Sequence, residues 1–360
     1  MKKVVTVIGA RPQFVKAAVL SKIIKKHNTI QEVIIHTGQH FDANMSAVFF
    51  EEMMIPKPAY NLEVNSLSHA AMTGQMMGKI EEILEIERPE ALIVYGDTNS
   101  TIAGALAAKK MNIKVVHIEA GLRSFNMNMP EEINRILTDR ISDLLSCPSQ
   151  GAINNLHNEG FQNLPVLIEN HGDIMKDAVS YYSQFSVNKS SIIKDQKLQK
   201  NEFVLATIHR QENTDEISKL TAIFKALEEI HHTQPVILPL HPRTRIALEK
   251  VDIQPKINLI DPIGYYDMLE LLKNCSMVIT DSGGLQKEAF FAKKQCIVVR
   301  DETEWGELVA HGYAKVVGSN TKKIIQTFDT FRATKKEFTV DLYGNNVGEK
   351  IYQSIYQLIH

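Results

Sequence analysis

Along the chain, short runs of consecutive apolar and mostly β-branched residues alternate with longer stretches whose apolar positions recur every three or four residues. The first half holds VVTVIG (4–9), EVIIHTG (32–38), ALIVYGD (91–97), KVVHIEA (114–120), LLSCPS (144–149) and PVLIEN (165–170). After residue 200 come FVLATIHR (203–210), PVILPLHP (235–242), INLIDP (257–262), MVITDSG (277–283), QCIVVRD (295–301) and AKVVGS (314–319). Strands that are apolar on both faces and separated by helices belong to parallel sheets covered on both sides. Two such sets predict an α/β protein of two domains. The polar, poorly periodic stretch 181–200 marks the region of their boundary. At the end, Val347, Ile351, Ile355 and Ile359 share one helical face, so the chain closes on a helix.

The 360-residue length agrees with two domains. A net charge of −2 excludes the basic excess that nucleic acid or a membrane surface would require. An anionic ligand must therefore be held by a local site. Cys147, Cys275 and Cys296 are far apart and odd in number, which suits no disulfide framework and fits a reducing cytoplasm. The apolar run that begins after Lys2 and Lys3 stops at Arg11, as a first strand does and a signal peptide does not. No apolar run reaches the length of a membrane span.

The pattern gains chemical content at the strand ends, where Arg11, His36, Asp97, Glu119, His209, His241, Asp281, Arg300 and Asp301 gather. Ligands of open parallel sheets bind outside the carboxyl ends of the strands, so these residues predict two sheets facing one cleft. In TDSGGLQKEA (280–289), Ser282 can cap a helix while Gly283 and Gly284 let backbone N–H groups approach a phosphate. Glu288, one turn on, could accept ribose hydroxyls. GARPQFVK (9–16) is a second strand-to-helix turn in which Arg11 and Lys16 offer anion contacts. It is no G-x-G-x-x-G fingerprint, so no nicotinamide cofactor is expected. YGDTNSTIAGALAA (95–108) sets Asp97 before a helix of small residues, and NMPEEINR (128–135) opens a helix with Glu131 and Glu132 in its first turn. The helix dipole favours either glutamate by about 0.3–1 kcal/mol, which accounts for one of them without chemistry. His36 with His40, and His231 with His232, lack a third ligand at useful spacing, so no zinc site is expected.

Taken together, GARPQFVK, HTGQH, YGDTNST, HIEAGLRS, MPEEINR, TIHRQEN, TDSGGLQKEA and RDETEW resemble, in order, the motifs of the non-hydrolysing UDP-N-acetylglucosamine 2-epimerases. The resemblance implies two Rossmann-like domains in the glycosyltransferase-B arrangement. An N-terminal domain (1–170, with the last helix, 344–360, crossing back onto it) would carry the acids, and a C-terminal domain (171–343) would bind UDP. It further implies inversion at C2 of a UDP-linked N-acetylhexosamine with no cofactor and no metal, in a cytoplasmic homodimer that feeds surface polysaccharide synthesis. The catalytic positions it implies are Asp97, Glu119, Glu131 and His209. Substrate contacts fall to Arg11, Lys16, Arg135, Arg210, His241, Ser282, Gly283, Gly284 and Glu288. Gln13, GDIMKDA (172–178) and RDETEWGE (300–307) depart from the pattern of enzymes acting on plain UDP-GlcNAc. They are similar to the branch that epimerises UDP-2,3-diacetamido-2,3-dideoxy-D-glucuronate to its manno form.

Three competing readings share parts of this pattern. A glycosyltransferase would keep the ribose glutamate but needs an acceptor and not three acids. A hydrolysing epimerase would release UDP and free sugar. A UDP-sugar sensor could dispense with Asp97 and Glu131.

Overall fold

The computed structural model describes residues 1–39, 55–251 and 253–360, without the Arg11 side chain. These residues form two compact units, one of Met1–Ala178 with Asp341–His360 and one of Val179–Val340.

The first unit runs β1 (Lys2–Ile8), α1 (Arg11–His27), β2 (Ile30–His36), β3 (Tyr60–Asn61), α2 (His69–Glu87), β4 (Ala91–Tyr95), α3 (Asn99–Lys110), β5 (Lys114–Ile118), α4 (Pro130–Ile141), β6 (Leu144–Cys147), α5 (Gln150–Asn158) and β7 (Leu167–Asn170). The chain leaves this unit within α6 (Ile174–Lys189). The second unit continues with α7 (Ile192–Asp195), β8 (Val204–Thr207), α8 (Gln211–Thr214), α9 (Ile217–Thr233), β9 (Val236–Pro239), α10 (Pro242–Lys250), β10 (Asn258–Ile260), α11 (Tyr265–Asn274), β11 (Met277–Thr280), α12 (Gly283–Phe291), β12 (Cys296–Val298), α13 (Gly306–Ala310), β13 (Ala314–Val316) and α14 (Thr321–Ala333). The closing α15 (Val347–Ile359) lies back in the first unit, where Gly348 packs its bare Cα against Ile23 of α1.

All pairings are parallel, in the orders β3-β2-β1-β4-β5-β6-β7 and β10-β9-β8-β11-β12-β13. Each of the twelve apolar runs holds a strand; the two-residue β3 is additional. The polar ends of the runs fall just beyond the strands, except that His36 closes β2 and Arg11 opens α1. Each order reverses once, between β1 and β4 and between β8 and β11. Adjacent connections there depart to opposite faces and leave a crevice at the carboxyl ends.

The first crevice is clamped by Gln13, whose Oε1 accepts the N–H groups of Gly9 (2.7 Å) and Ala10 (3.0 Å). Its Nε2 donates to the Tyr95 carbonyl (2.8 Å) at the end of β4. Gly9 has no alternative, since a Cβ there would lie 2.1 Å from Thr37 Oγ1 and 2.2 Å from Ser100 Oγ.

Candidate active site

In the first unit, β5 ends at Ile118 and Glu119 turns into the left-handed region with φ 72°. Side chains rarely adopt that conformation unless the surroundings enforce it. Here the Ser146 carbonyl accepts both the Glu119 and Ala120 N–H groups, at 3.0 and 3.1 Å. The turn carries the Glu119 carboxylate to Lys16 of α1, and the two form a nearly buried ion pair. Lys16 thus has its charge matched within this unit. One Glu119 oxygen lies 3.5 Å from where a Gly96 Cβ would sit, one residue before Asp97.

Asp97 is held from α4. Arg135 Nη2 donates to its carboxylate at 2.5 Å, and Asn134 Nδ2 donates to its carbonyl at 2.9 Å. Of the two glutamates in the first turn of α4, Glu132 is the buried one. It accepts from the N–H groups of Ser124 and Phe125, both at 2.9 Å, and from Arg135 Nη1 at 2.7 Å. Its role is to fold the loop before α4. Glu131 is half-buried and has no side-chain hydrogen bond or ion pair among the described residues. Lys16, Asp97, Glu119, Glu131 and Arg135 therefore gather around the ends of β4 and β5, with charge matched for two of the three acids.

His117, in β5, and Arg123, in the turn after it, support this arrangement. His117 is fully buried, with Nδ1 2.7 Å from Asp139 Oδ1 and Nε2 2.7 Å from the Gly96 carbonyl. Arg123 Nη1 donates to Asp139 Oδ2 at 2.7 Å, and its Nε and Nη2 fork onto Glu159 at 2.7 and 2.8 Å. Burial pushes the Asp139 carboxyl up, yet His117 and Arg123 outweigh it and hold it below the usual carboxylate range. Arg123 is thereby a structural partner. Its acids, 16 and 36 residues away, gave no local sequence signal.

In the second unit, Ser282 caps α12 by accepting the Leu285 N–H, and Gly283 and Gly284 form the first turn. A Cβ on Gly283 would lie 3.6 Å from Glu304 Oε2, 3.7 Å from Arg210 Nη2 and 3.9 Å from Arg300 Nη1; one on Gly284 would meet nothing within 4 Å. Arg300 is buried and paired with Glu304 at 3.0 and 3.1 Å. The Arg210 guanidinium has no hydrogen-bond or ion-pair partner among the described residues. An unmatched cation beside a capped, glycine-lined helix start is an arrangement that can hold an anion. Glu288 is half-buried one turn further along α12. Trp305 Nε1 donates to the Gly283 carbonyl at 3.0 Å and so braces the same turn, with Lys287 Nζ 4.0 Å from its ring centroid. Nothing local in RDETEW signals this bracing, because Trp305 and Gly283 meet only in the fold.

His209 follows β8, with its ring centroid 5.4 Å from that of His241. His241 is exposed and starts α10, its Nδ1 accepting the Arg243 N–H at 3.2 Å. Arg210, His209, His241, Ser282, Gly283, Gly284 and Glu288 thus belong to one unit, and the acids to the other. Arg11 opens α1 in the first unit. His36 Nδ1 lies 3.1 Å from Asn61 Oδ1, and His40 is outside the described residues. Among the described residues no group of three or more His, Cys, Asp or Glu side chains could hold a metal ion, and no helix is long and apolar enough to cross a membrane.

Comparison with known proteins matches residues 22–356 to the family model described as UDP-N-acetylglucosamine 2-epimerase. A UDP-2,3-diacetamido-2,3-dideoxy-D-glucuronate 2-epimerase of Pseudomonas aeruginosa is 50% identical over 343 residues, 95% of this chain and 96% of that protein. A UDP-N-acetylglucosamine 2-epimerase homolog of Methanococcus maripaludis is 46% identical, covering 99% of this chain and 100% of its own. The crystal structure of Methanocaldococcus jannaschii UDP-GlcNAc 2-epimerase in complex with UDP-GlcNAc and UDP is similar at a TM-score of 0.90 and 38% identity, covering 99% of both chains.

Proposed function

Because the chain belongs to the UDP-N-acetylglucosamine 2-epimerase family, we propose that it inverts C2 of a UDP-linked N-acetylhexosamine, with UDP-2,3-diacetamido-2,3-dideoxy-D-glucuronate favoured and converted to its manno epimer. The anion site at Ser282, Gly283 and Arg210 is the observation that carries the nucleotide half of this reading. The substrate choice is supported by the Pseudomonas aeruginosa relative.

The C2 hydrogen is not α to a carbonyl. An unperturbed glutamate titrates near about 4.3, and a mismatch of even roughly 15 pKa units would cost about 20 kcal/mol, most of what an enzyme supplies. A free carbanion is therefore excluded. The C1–O bond breaks with or before C2–H, the electron pair leaves with UDP, a carboxylate takes the proton, and a 2-acetamidoglycal remains. Re-addition of UDP with a proton on the opposite face completes the inversion. Two faces need two proton carriers, which accounts for several acids. Asp97, Glu119 and Glu131 are assigned this work together with His209. Arg11, Lys16, Arg135, Arg210 and His241 are assigned to the substrate, and Glu288 to the ribose.

Incubating the purified protein with each sugar in D2O and following the anomeric signals by NMR tests the reading. Deuterium should enter C2; an epimer that retains protium there would sink the elimination. A kcat/KM on UDP-GlcNAc equal to or above that on the diacetamido uronate would overturn the substrate assignment. Replacing Asp97 or Glu131 by its amide should lower turnover about 10²–10⁴-fold while UDP still binds.

The proposal includes a reducing compartment, supported by three free and buried cysteines, and a homodimer. Ile133 and Leu137, exposed one turn apart on α4, and the exposed Phe125 and Met127 in the loop before it offer an apolar surface for a second copy. Sedimentation equilibrium of a single monomeric species would refute the dimer.

A further inference from the structure

We propose that Asp281 is the positioning residue for His209, fixing the imidazole with its Nδ1 proton toward the Asp281 carboxylate and leaving proton exchange with the substrate to Nε2. The inference rests on His209 belonging to the epimerase site.

Asp281 follows β11 and is fully buried. β8 and β11 are neighbours at the reversal of the second sheet, so the turn after each opens beside the other. The Asp281 carboxylate fills that gap. Both of its oxygens accept the His209 N–H, at 3.1 and 3.0 Å. Oδ2 also accepts the Arg210 N–H at 2.9 Å and Asn213 Nδ2 at 3.1 Å. A carboxylate out of reach of solvent needs such donors, and they in turn lock the backbone of residues 209–213 to the end of β11.

The His209 ring lies over the same carboxylate, its Nδ1 3.5 Å from Oδ1, with 34% of the side chain exposed. That separation suits ion pairing more than a full hydrogen bond. A carboxylate facing one ring nitrogen selects the tautomer protonated on that nitrogen and stabilises the imidazolium that forms when the other takes a proton. The next residue, Ser282, caps α12. One dipeptide therefore sets both the histidine and the anion-binding helix, and the Arg210 amide held by Asp281 carries the guanidinium that stands beside Gly283.

The test uses the full chain labelled with 15N-histidine, with the His209 signals assigned by their loss in His209→Gln. Near pH 8 the wild type should show a protonated Nδ1 and an unprotonated Nε2, and Asp281→Asn should lose that preference. On the epimerase reaction Asp281→Asn should lower kcat about 100-fold. In the His209→Gln background the same change should cost nothing further, because it acts through His209. An Nε2–H tautomer in the wild type would overturn the proposal. So would unaltered kcat in a folded Asp281→Asn, or an equal loss in both backgrounds. Should Asp281→Asn fail to fold by circular dichroism, the wild-type tautomer decides alone. Wild-type protein that shows the Nδ1–H tautomer but epimerises neither sugar would support the pairing and refute the epimerase reading, so the two fail separately.

Discussion

Asp139→Asn should destabilise the first unit by about 3 kcal/mol, the lower end of what losing one partner of a buried ion pair costs. Asp139 is fully buried and accepts from His117 Nδ1, Arg123 Nη1 and the Gly121 N–H at 2.7, 2.7 and 3.1 Å. Asparagine keeps the shape, but its NH₂ must point at one or more of these donors. The charge facing His117 and Arg123 also disappears. Arg123 retains its fork onto the partly exposed Glu159, which is why the lower end applies. A neutral hydrogen bond alone would contribute only about 1 kcal/mol, so the measurement separates the two accounts. Two units need not unfold as one; hence urea titration by circular dichroism should be joined to amide exchange at Val116–Ile118. Asp139 titrates lower folded than unfolded. Its contribution is therefore present above the unfolded value, near about 3.9, and is lost as pH falls through the folded one. The gap between wild type and variant should shrink in acid. A gap below about 1 kcal/mol, or one that widens on acidification, would refute the reasoning.

Glu288→Ala should weaken UDP binding by roughly 1.5–3 kcal/mol, the worth of a charged acceptor on the ribose; calorimetry showing unchanged affinity in folded protein would remove Glu288 from the site. Glu32 behaves oppositely to Asp139: burial pushes its carboxyl up, against the hydrogen bond of Thr6. Stability from that group is full below its unfolded value and falls as pH rises through the folded one. Glu32→Gln keeps an acceptor for Thr6 Oγ1 (2.6 Å from Oε1) and should melt above wild type near pH 8, losing that margin in acid. Equal Tm shifts at both pH values would count against it.

The strands were legible because a parallel strand buried on both faces reads as an unbroken apolar run, and the polar residue that ends the run marks the side where ligands bind. Partners inside the polar layer were not. Arg123 takes its acids from α4 and from just after α5, and only folding brings them together. Glu131 and Glu132 look alike to the helix dipole; the roughly 100° between successive residues on a helix turns one inward to Ser124 and Arg135 and leaves the other half-buried.

Gln13 shows the same limit from another side. In the sequence it marks a branch of the family. In the structure it is 2% exposed, accepts two N–H groups through Oε1 and donates through Nε2 to the Tyr95 carbonyl and to Thr98 and Thr101 Oγ1. Only a side chain with both a donor and an acceptor end satisfies that set. An ionised glutamate would turn an oxygen toward the Tyr95 carbonyl at 2.8 Å and would have to move or hold a proton. What Gln13 sets is therefore the join between the β1 turn, which carries Arg11, and the end of β4, which leads to Asp97. A branch-marking residue at this position acts through the scaffold, by joining the turn after β1 to the end of β4.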